Sequence, residues 1–139
     1  MTRLLLAFFV FAAIAARAPA QDDDSFFADY GAYSAYVDKM ITTRQFRPFI
    51  EKMGGRDEYK PEELAKIDSQ LQRLFPGNFT ARTVFRELDL GGGIRQEARA
   101  FWGAGRYLFF YAILHQRDDA LVVLNFSLNT KIEQVMGQF

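Results

Sequence analysis

Few side chains in this sequence can do chemistry, and their types narrow what it could be. His115 is the single histidine, and there is no cysteine. One imidazole can serve as a general base when a carboxylate orients it, but it cannot build a multi-histidine zinc site. Without thiols there is no thiolate nucleophile and no thiolate metal centre. No metal and no cofactor are expected. Phenols are more plentiful. Tyr30, Tyr33, Tyr107 and Tyr111 lie in aromatic-rich segments, and a buried tyrosine hydroxyl needs a partner, which suits a pocket. With Trp102 and Phe109 they form the candidate ligand-binding set. His115 is the catalytic candidate, but it adjoins the turn Gln116-Arg117-Asp118-Asp119. Exposure without an orienting partner is expected there. Arg82, Arg86, Arg95, Arg99 and Arg106 form a third group, interspersed with Glu87, Asp89 and Glu97. On one face the arginines would bind a carboxylate or phosphate. The mixed signs instead favour ion pairs across strands on a solvated face, each worth little.

The elements that must position these groups are legible in the periodicity. Phe26, Tyr30, Tyr33, Val37 and Met40 recur at steps of four and three, which predicts a helix over residues 25–43. Gly31 inside it suggests a close approach by another element. Phe46, Phe49, Ile50 and Met53 predict a second, short helix stopped by Gly54-Gly55. Lys60-Pro61-Glu62-Glu63 opens a third, with Leu64, Ile67, Leu71, Leu74 and Phe75 on its apolar side and Pro76-Gly77-Asn78 at its end. After Asn78 aromatic and β-branched residues become dense. Strands are predicted over 80–90, where Phe85-Arg86-Glu87-Leu88 leaves a helical reading open, and over 94–102, 106–116 and 120–127, joined by Gly91-Gly92-Gly93, Gly103-Ala104-Gly105 and Arg117-Asp118. Three short connections in succession require an antiparallel meander. The continuous apolar runs of residues 108–114 and 120–124 imply strands covered on both faces, or nearly so. Thr130 and Glu133 have capping-box spacing, so residues 131–136 are either a short helix or a further strand. The fold class read from this order is α+β, with N-terminal helices packed on a curved antiparallel sheet of about four strands.

At the other end, Met1-Thr2-Arg3, the apolar run of residues 4–16 and Ala18-Pro19-Ala20 stand in the order of a secretory signal peptide. The apolar run is shorter than the ~20 residues that span a bilayer. The expected division is therefore a signal peptide over 1–20 and a single domain over 21–139, periplasmic or extracellular. The polar lead-in Gln21–Asp24 is expected to stay mobile up to Ser25. The chain carries 17 basic and 17 acidic residues, and losing Arg3 and Arg17 leaves about −2. That balance offers no footprint for nucleic acid. No second apolar run has membrane length, so no span is expected after cleavage. Gly91-Gly92-Gly93 precedes a strand and lacks the Lys-Ser/Thr of a phosphate loop.

The aromatic helix FFADYGAYSAYVDKM, the strand pair RYLFFYAILHQ and ALVVLNFSLN, and the tail NFSLNTKIEQV together resemble the NTF2-like superfamily, the cystatin-like α+β cone, in its secreted bacterial type. The resemblance implies a cone with an interior pocket. Members include isomerases, dehydratases, small-molecule binders and assembly adaptors, so it leaves function open. Isomerase-like members set an acid and a phenol deep in the cone; the phenols are present here, and no acid stands out in the sequence. The expected function is a non-catalytic exported domain binding a small apolar or amphipathic ligand. The alternatives are an enzyme of isomerase or hydrolase type using His115 or a buried acid with a tyrosine, and a structural module that dimerises through its sheet. Because Ala18 and Ala20 carry the small side chains that signal cleavage needs, N-terminal sequencing of exported protein is expected to read from Gln21; a chain still beginning at Met1 or Thr2 rejects the cleavage.

Overall fold

The computed structural model describes residues 24–139; the segment read as a signal peptide, residues 1–20, lies outside the described residues. The chain runs β1 (Phe26–Phe27), α1 (Tyr30–Thr42), α2 (Phe46–Ile50), a π-helical turn (Glu51–Gly55), α3 (Pro61–Leu74), β2 (Ala81–Gly91), β3 (Ile94–Gly103), β4 (Arg106–Gln116), β5 (Leu121–Asn129) and α4 (Ile132–Met136). It is α+β, and the sheet is antiparallel in the order β1-β5-β4-β3-β2. Five strands stand where the sequence suggests about four. The addition is β1, whose Phe26 and Phe27 pair with Val122 and Leu121.

The N-terminal helix therefore starts later than its apolar stripe suggests. Asp29 caps it, its carboxylate accepting the Ala32 amide at 2.8 Å. A side-chain cap of this kind satisfies an otherwise orphaned helical donor and sets the helix start. The residues before it are held as well. The Ser25 amide donates to Lys52 O, its hydroxyl donates to Met53 O, and its carbonyl accepts from the Val123 amide. Asp24 meets Arg56 at 2.7 Å. Asp24 and Ser25 are thus held rather than mobile, and the rest of the expected mobile lead-in, residues 21–23, lies outside the described residues. Gly31 is exposed, and a Cβ there would meet only the Asp29 carboxylate, so no other element approaches it. The capping box expected at Thr130 is not formed. Lys131 precedes α4 and makes no side-chain cap.

Helices α1, α2 and α3 cover one face of the sheet. Tyr33, Val37 and Ile41 of α1 and Phe46 and Phe49 of α2 are fully buried against Phe101, Leu108, Phe110, Ala112 and Leu114. Arg44 and Gln72 tie the end of α1 to α3, Arg44 donating to the Gln72 carbonyl and side-chain oxygen and accepting from the Gln72 amide. The opposite face has its own cover. Val135 of α4 and the terminal Phe139 pack on Ala98, Ala100, Phe109 and Tyr111. Gln96, buried on that face, donates to the Tyr111 hydroxyl at 2.7 Å and to Gln138 O at 2.9 Å. The middles of β3 and β4 are thus buried on both faces, as the run 108–114 implied, whereas β5 is not covered as the run 120–124 implied, since Leu124 is exposed.

The hairpin turns explain two glycines. Gly93 and Gly105 both have positive φ, +80° and +75°. A Cβ on Gly93 would lie 2.5 Å from Gln116 O, while one on Gly105 meets nothing within 4 Å. Gly105→Ala is therefore expected to cost about 1 kcal/mol for the left-handed backbone alone, and Gly93→Ala clearly more, because the β4 backbone must also move. Urea melts of the two variants check the order; equal losses would mean that the Gly93 contact is relieved at no cost.

Candidate functional site

Strand β3 carries Arg95, Glu97, Arg99 and Phe101 on its helix-facing side, two residues apart as the pleat requires. Helix α1 crosses above them with Tyr30, Ser34 and Asp38 in a row at steps of four, flanking the buried stripe of Tyr33 and Val37. The crossing brings two periodicities together around one buried ion pair. Glu97 is 0 % exposed and Arg99 is 2 % exposed. Arg99 Nε donates to Glu97 Oε1 at 2.7 Å, and the Tyr33 hydroxyl donates to the same oxygen at 2.8 Å. The Tyr30 hydroxyl donates to Glu97 Oε2 at 2.9 Å. On its outer side Arg99 Nη1 donates to Ser34 Oγ and Asp38 Oδ1, both at 3.0 Å. Asp38 closes the chain toward solvent as an ion pair with Arg82, Oδ2 to Nε at 2.7 Å. The Arg95 guanidinium lies 3.7 Å from the centre of the Tyr30 ring, a cation–π contact.

Burial and neighbouring charge fix the protonation of the two phenols and of Arg99. Burial, and then the negative charge of Glu97, push the Tyr33 hydroxyl well above the usual tyrosine pKa, and Tyr30 is raised for the same reasons. Both phenols stay protonated and act as donors. Burial alone would disfavour the charge on Arg99, but the attraction of Glu97 and its hydrogen bond outweigh it and raise the arginine further. The Glu97 carboxylate accepts three hydrogen bonds, two at Oε1 and one at Oε2, and Arg95 Nη2 lies 3.7 Å from Oε2 as a further charge.

These positions correct the expectation for the arginines. Arg82, Arg95 and Arg99 share the helix-facing side, whereas Arg86 pairs with Ala98 on the other. The ion pairs run along β3 and from the sheet to α1 rather than across strands, and the face is buried under α1 at Glu97 and Arg99, while Arg82 stays exposed and Arg95 partly so. Asp38, off the apolar stripe in the sequence, is the residue that the reading missed. Its position four after Ser34 and eight after Tyr30 was the available signal.

The six candidate aromatics are not brought to one place. Tyr30 and Tyr33 contact Glu97. Trp102, Tyr107, Phe109 and Tyr111 lie on the opposite face of the sheet, where Trp102, Tyr107 and Phe109 stack in sequence with ring centres 5.8 and 5.9 Å apart. Tyr111 is sealed beneath Phe139. His115 is half-buried on that second face, paired across strands with Ile94 and Val122. The sheet separates it from Glu97 and from both helix-side tyrosines. Among the described residues, no three His, Asp or Glu side chains converge as a metal site would require.

A distinct cleft of about 350 Å³ opens on the helix side between α2, α3 and β5. Ile50, Ile67, Leu71, Leu74, Phe126 and Leu128 supply apolar walls, and Tyr59, Glu58, Gln70 and Ser127 supply polar atoms. None of the six candidate aromatics lines it. Two open grooves flank the Asp38–Arg82 pair, both shallow surface features. No protein-family model, curated protein or solved structure matches the chain.

The buried pair generates a test. Arg99→Met strands the Glu97 carboxylate in the core and is expected to cost about 3–5 kcal/mol. The double change Arg99→Met with Glu97→Leu removes both charges and is expected to recover at least half of that loss. Chemical denaturation of the three proteins measures it; a double variant as unstable as the additive prediction would show that the two charges do not act as a pair.

Proposed function

We propose that this chain is an exported, non-catalytic domain that binds a small amphipathic ligand in the cleft between α3 and β5, on an NTF2-like scaffold. The observation that carries the reading is the cleft itself. Its volume lies within the range of small-molecule sites, and apolar side chains dominate its walls while a few polar groups are available to orient a ligand. Glu58 and Gln70 make no side-chain hydrogen bond among the described residues, so both are available to a ligand's polar end. The antiparallel sheet with α1, α2 and α3 on one face supports the cone architecture, and the basic, apolar and small-residue segments that stand in that order before Gln21 support export. No helix among the described residues is long and apolar enough to cross a membrane.

An enzyme of isomerase or hydrolase type has one observation in its favour: Glu97 is a buried acid within hydrogen-bond reach of Tyr30 and Tyr33. The three hydrogen bonds that carboxylate accepts from Arg99 and two phenols, and its complete burial, argue for a structural role instead. A general base needs a free lone pair facing its substrate, and the cleft does not include Glu97.

The acidic group in the cleft sets an expected ligand preference. Octylammonium is expected to bind more tightly than octanoate, because its head group can pair with Glu58 while its chain lies along Leu71 and Phe126. Leu71→Glu is expected to abolish binding, and Trp102→Ala, on the other face, to leave it unchanged. Calorimetric titration of the exported protein with both probes decides. Absence of binding by either, or equal loss in the two variants, rejects the cleft as the site.

A further inference from the structure

Strand β2 is an edge of the sheet, and among the described residues β3 is its single neighbour. It is 11 residues long, and Val84, Leu88 and Leu90 on it are 40 %, 41 % and 53 % exposed. An edge of that length presents a row of backbone N–H and C=O groups able to pair with another strand. We propose that β2 is a self-association edge, pairing antiparallel with β2 of a second copy of this chain to join two sheets across a two-fold axis.

The choice of a second copy rests on the bulge. Val84 pairs with Arg99 and Arg86 with Ala98, so Phe85 is an extra residue in β2. In a regular strand, residues an odd number apart point to opposite faces. The bulge resets this alternation. Arg82 and Val84 before it, and Glu87 and Asp89 after it, all share the face of Arg95, Glu97, Arg99 and Phe101. A two-fold register centred between Phe85 and Arg86 then sets Arg82 opposite Asp89 of the second copy and Val84 opposite Glu87 of the second copy, with both members of each pair on one face. Without the bulge the same register would place the members of each pair on opposite faces.

Charge complementarity follows from that register and is repeated twice by the symmetry. The basic half of β2 meets the acidic half of its copy, so opposite charges face each other and like charges do not. The geometry leaves both partners able to engage. Arg82 Nε is committed to Asp38, and the terminal nitrogens of the guanidinium fork remain. Asp89 Oδ1 accepts the Gly91 amide, and its second oxygen remains. The edge is charged and bulged, so the association is selective for this register and weak. It does not depend on the ligand-binding reading, because the cleft lies at the β5 side of the sheet and β2 is at the far edge.

A charge swap between two variants tests the register. By sedimentation at low salt, the exported protein is expected to dimerise at about 100 µM, as suits a small polar interface. Arg82→Asp alone and Asp89→Arg alone each set like charges opposite one another twice and are expected to lose dimer affinity at least tenfold. A one-to-one mixture of the two variants restores both ion pairs and is expected to form a heterodimer. Since Arg82→Asp also touches Asp38, circular dichroism first establishes that each variant is folded. Val84→Lys and Val84→Glu supply an independent pair at an exposed position: facing Glu87 of the second copy, the lysine should tighten the dimer and the glutamate loosen it. A monomeric wild type at that concentration, single variants that dimerise like wild type, or a mixture that stays monomeric each overturns the proposal. If Arg82→Asp is unfolded, Val84→Lys and Val84→Glu with equal affinities overturn it.

Discussion

The ion pair of Glu97 and Arg99 is the constraint around which the helix-facing side of this protein is arranged. Two charges withdrawn from water are tolerated only when each finds close partners, and the partners here come from a different element. Glu97 needs the hydroxyls of Tyr30 and Tyr33; Arg99 needs Ser34 and Asp38. All four lie on α1. Apolar packing of α1 against the sheet would be satisfied by many small rotations and slides, because burial is non-directional. The polar network has a single geometry that satisfies it. It therefore sets where α1 sits along β3, and with it the position of the fully buried Tyr33, Val37 and Ile41.

A second constraint is the burial of β3 and β4 on both faces. An antiparallel sheet commonly leaves one face to water. Here Ala98 and Ala100 on the second face of β3 are small enough to admit α4, a helix of five residues, while Phe109 and Tyr111 meet Val135 and Phe139. Gln96 anchors the cover by bonding both Tyr111 and the Gln138 carbonyl. The cover reaches only part of the sheet. At the far end Tyr107 remains half exposed, stacked between Trp102 and Phe109, and the β2 edge remains open.

These two constraints divide the chemistry of the molecule. The groups of the buried network, Glu97, Arg99, Tyr30 and Tyr33, are spent on holding the helix to the sheet. The raised pKa values of Tyr30, Tyr33 and Arg99 reflect a structural pair rather than a poised acid or base. The open cleft lies elsewhere, where α3 leans on β5 with aliphatic side chains. Function on this scaffold is therefore read from the cleft and the exposed edge, not from the most perturbed residues.

Much of the architecture was legible in the sequence because it depends on local signals. Hydrophobic spacing marked the helices, glycine-rich turns marked the hairpins, and the bounds of β4 follow from its run of aromatic and aliphatic residues. The alternation of Ile94, Gln96, Ala98 and Ala100 against Arg95, Glu97 and Arg99 was also correctly periodic. What it could not disclose was which of those two faces would be covered, since a charged face reads as solvated until a helix is laid over it. Asp29 as a cap shortened α1, and a two-residue strand too brief for any periodic signal completed the sheet. The separation of Tyr30 and Tyr33 from Trp102, Tyr107, Phe109 and Tyr111 is likewise tertiary: side-chain type tells that a ring will be buried, and the pairing of strands tells on which side. The Phe85 bulge and the cleft arise the same way, from register and from the approach of elements distant in sequence. Composition and spacing determined the elements and their order; only the packing of α1 on β3, with its buried charges, decided which residues meet.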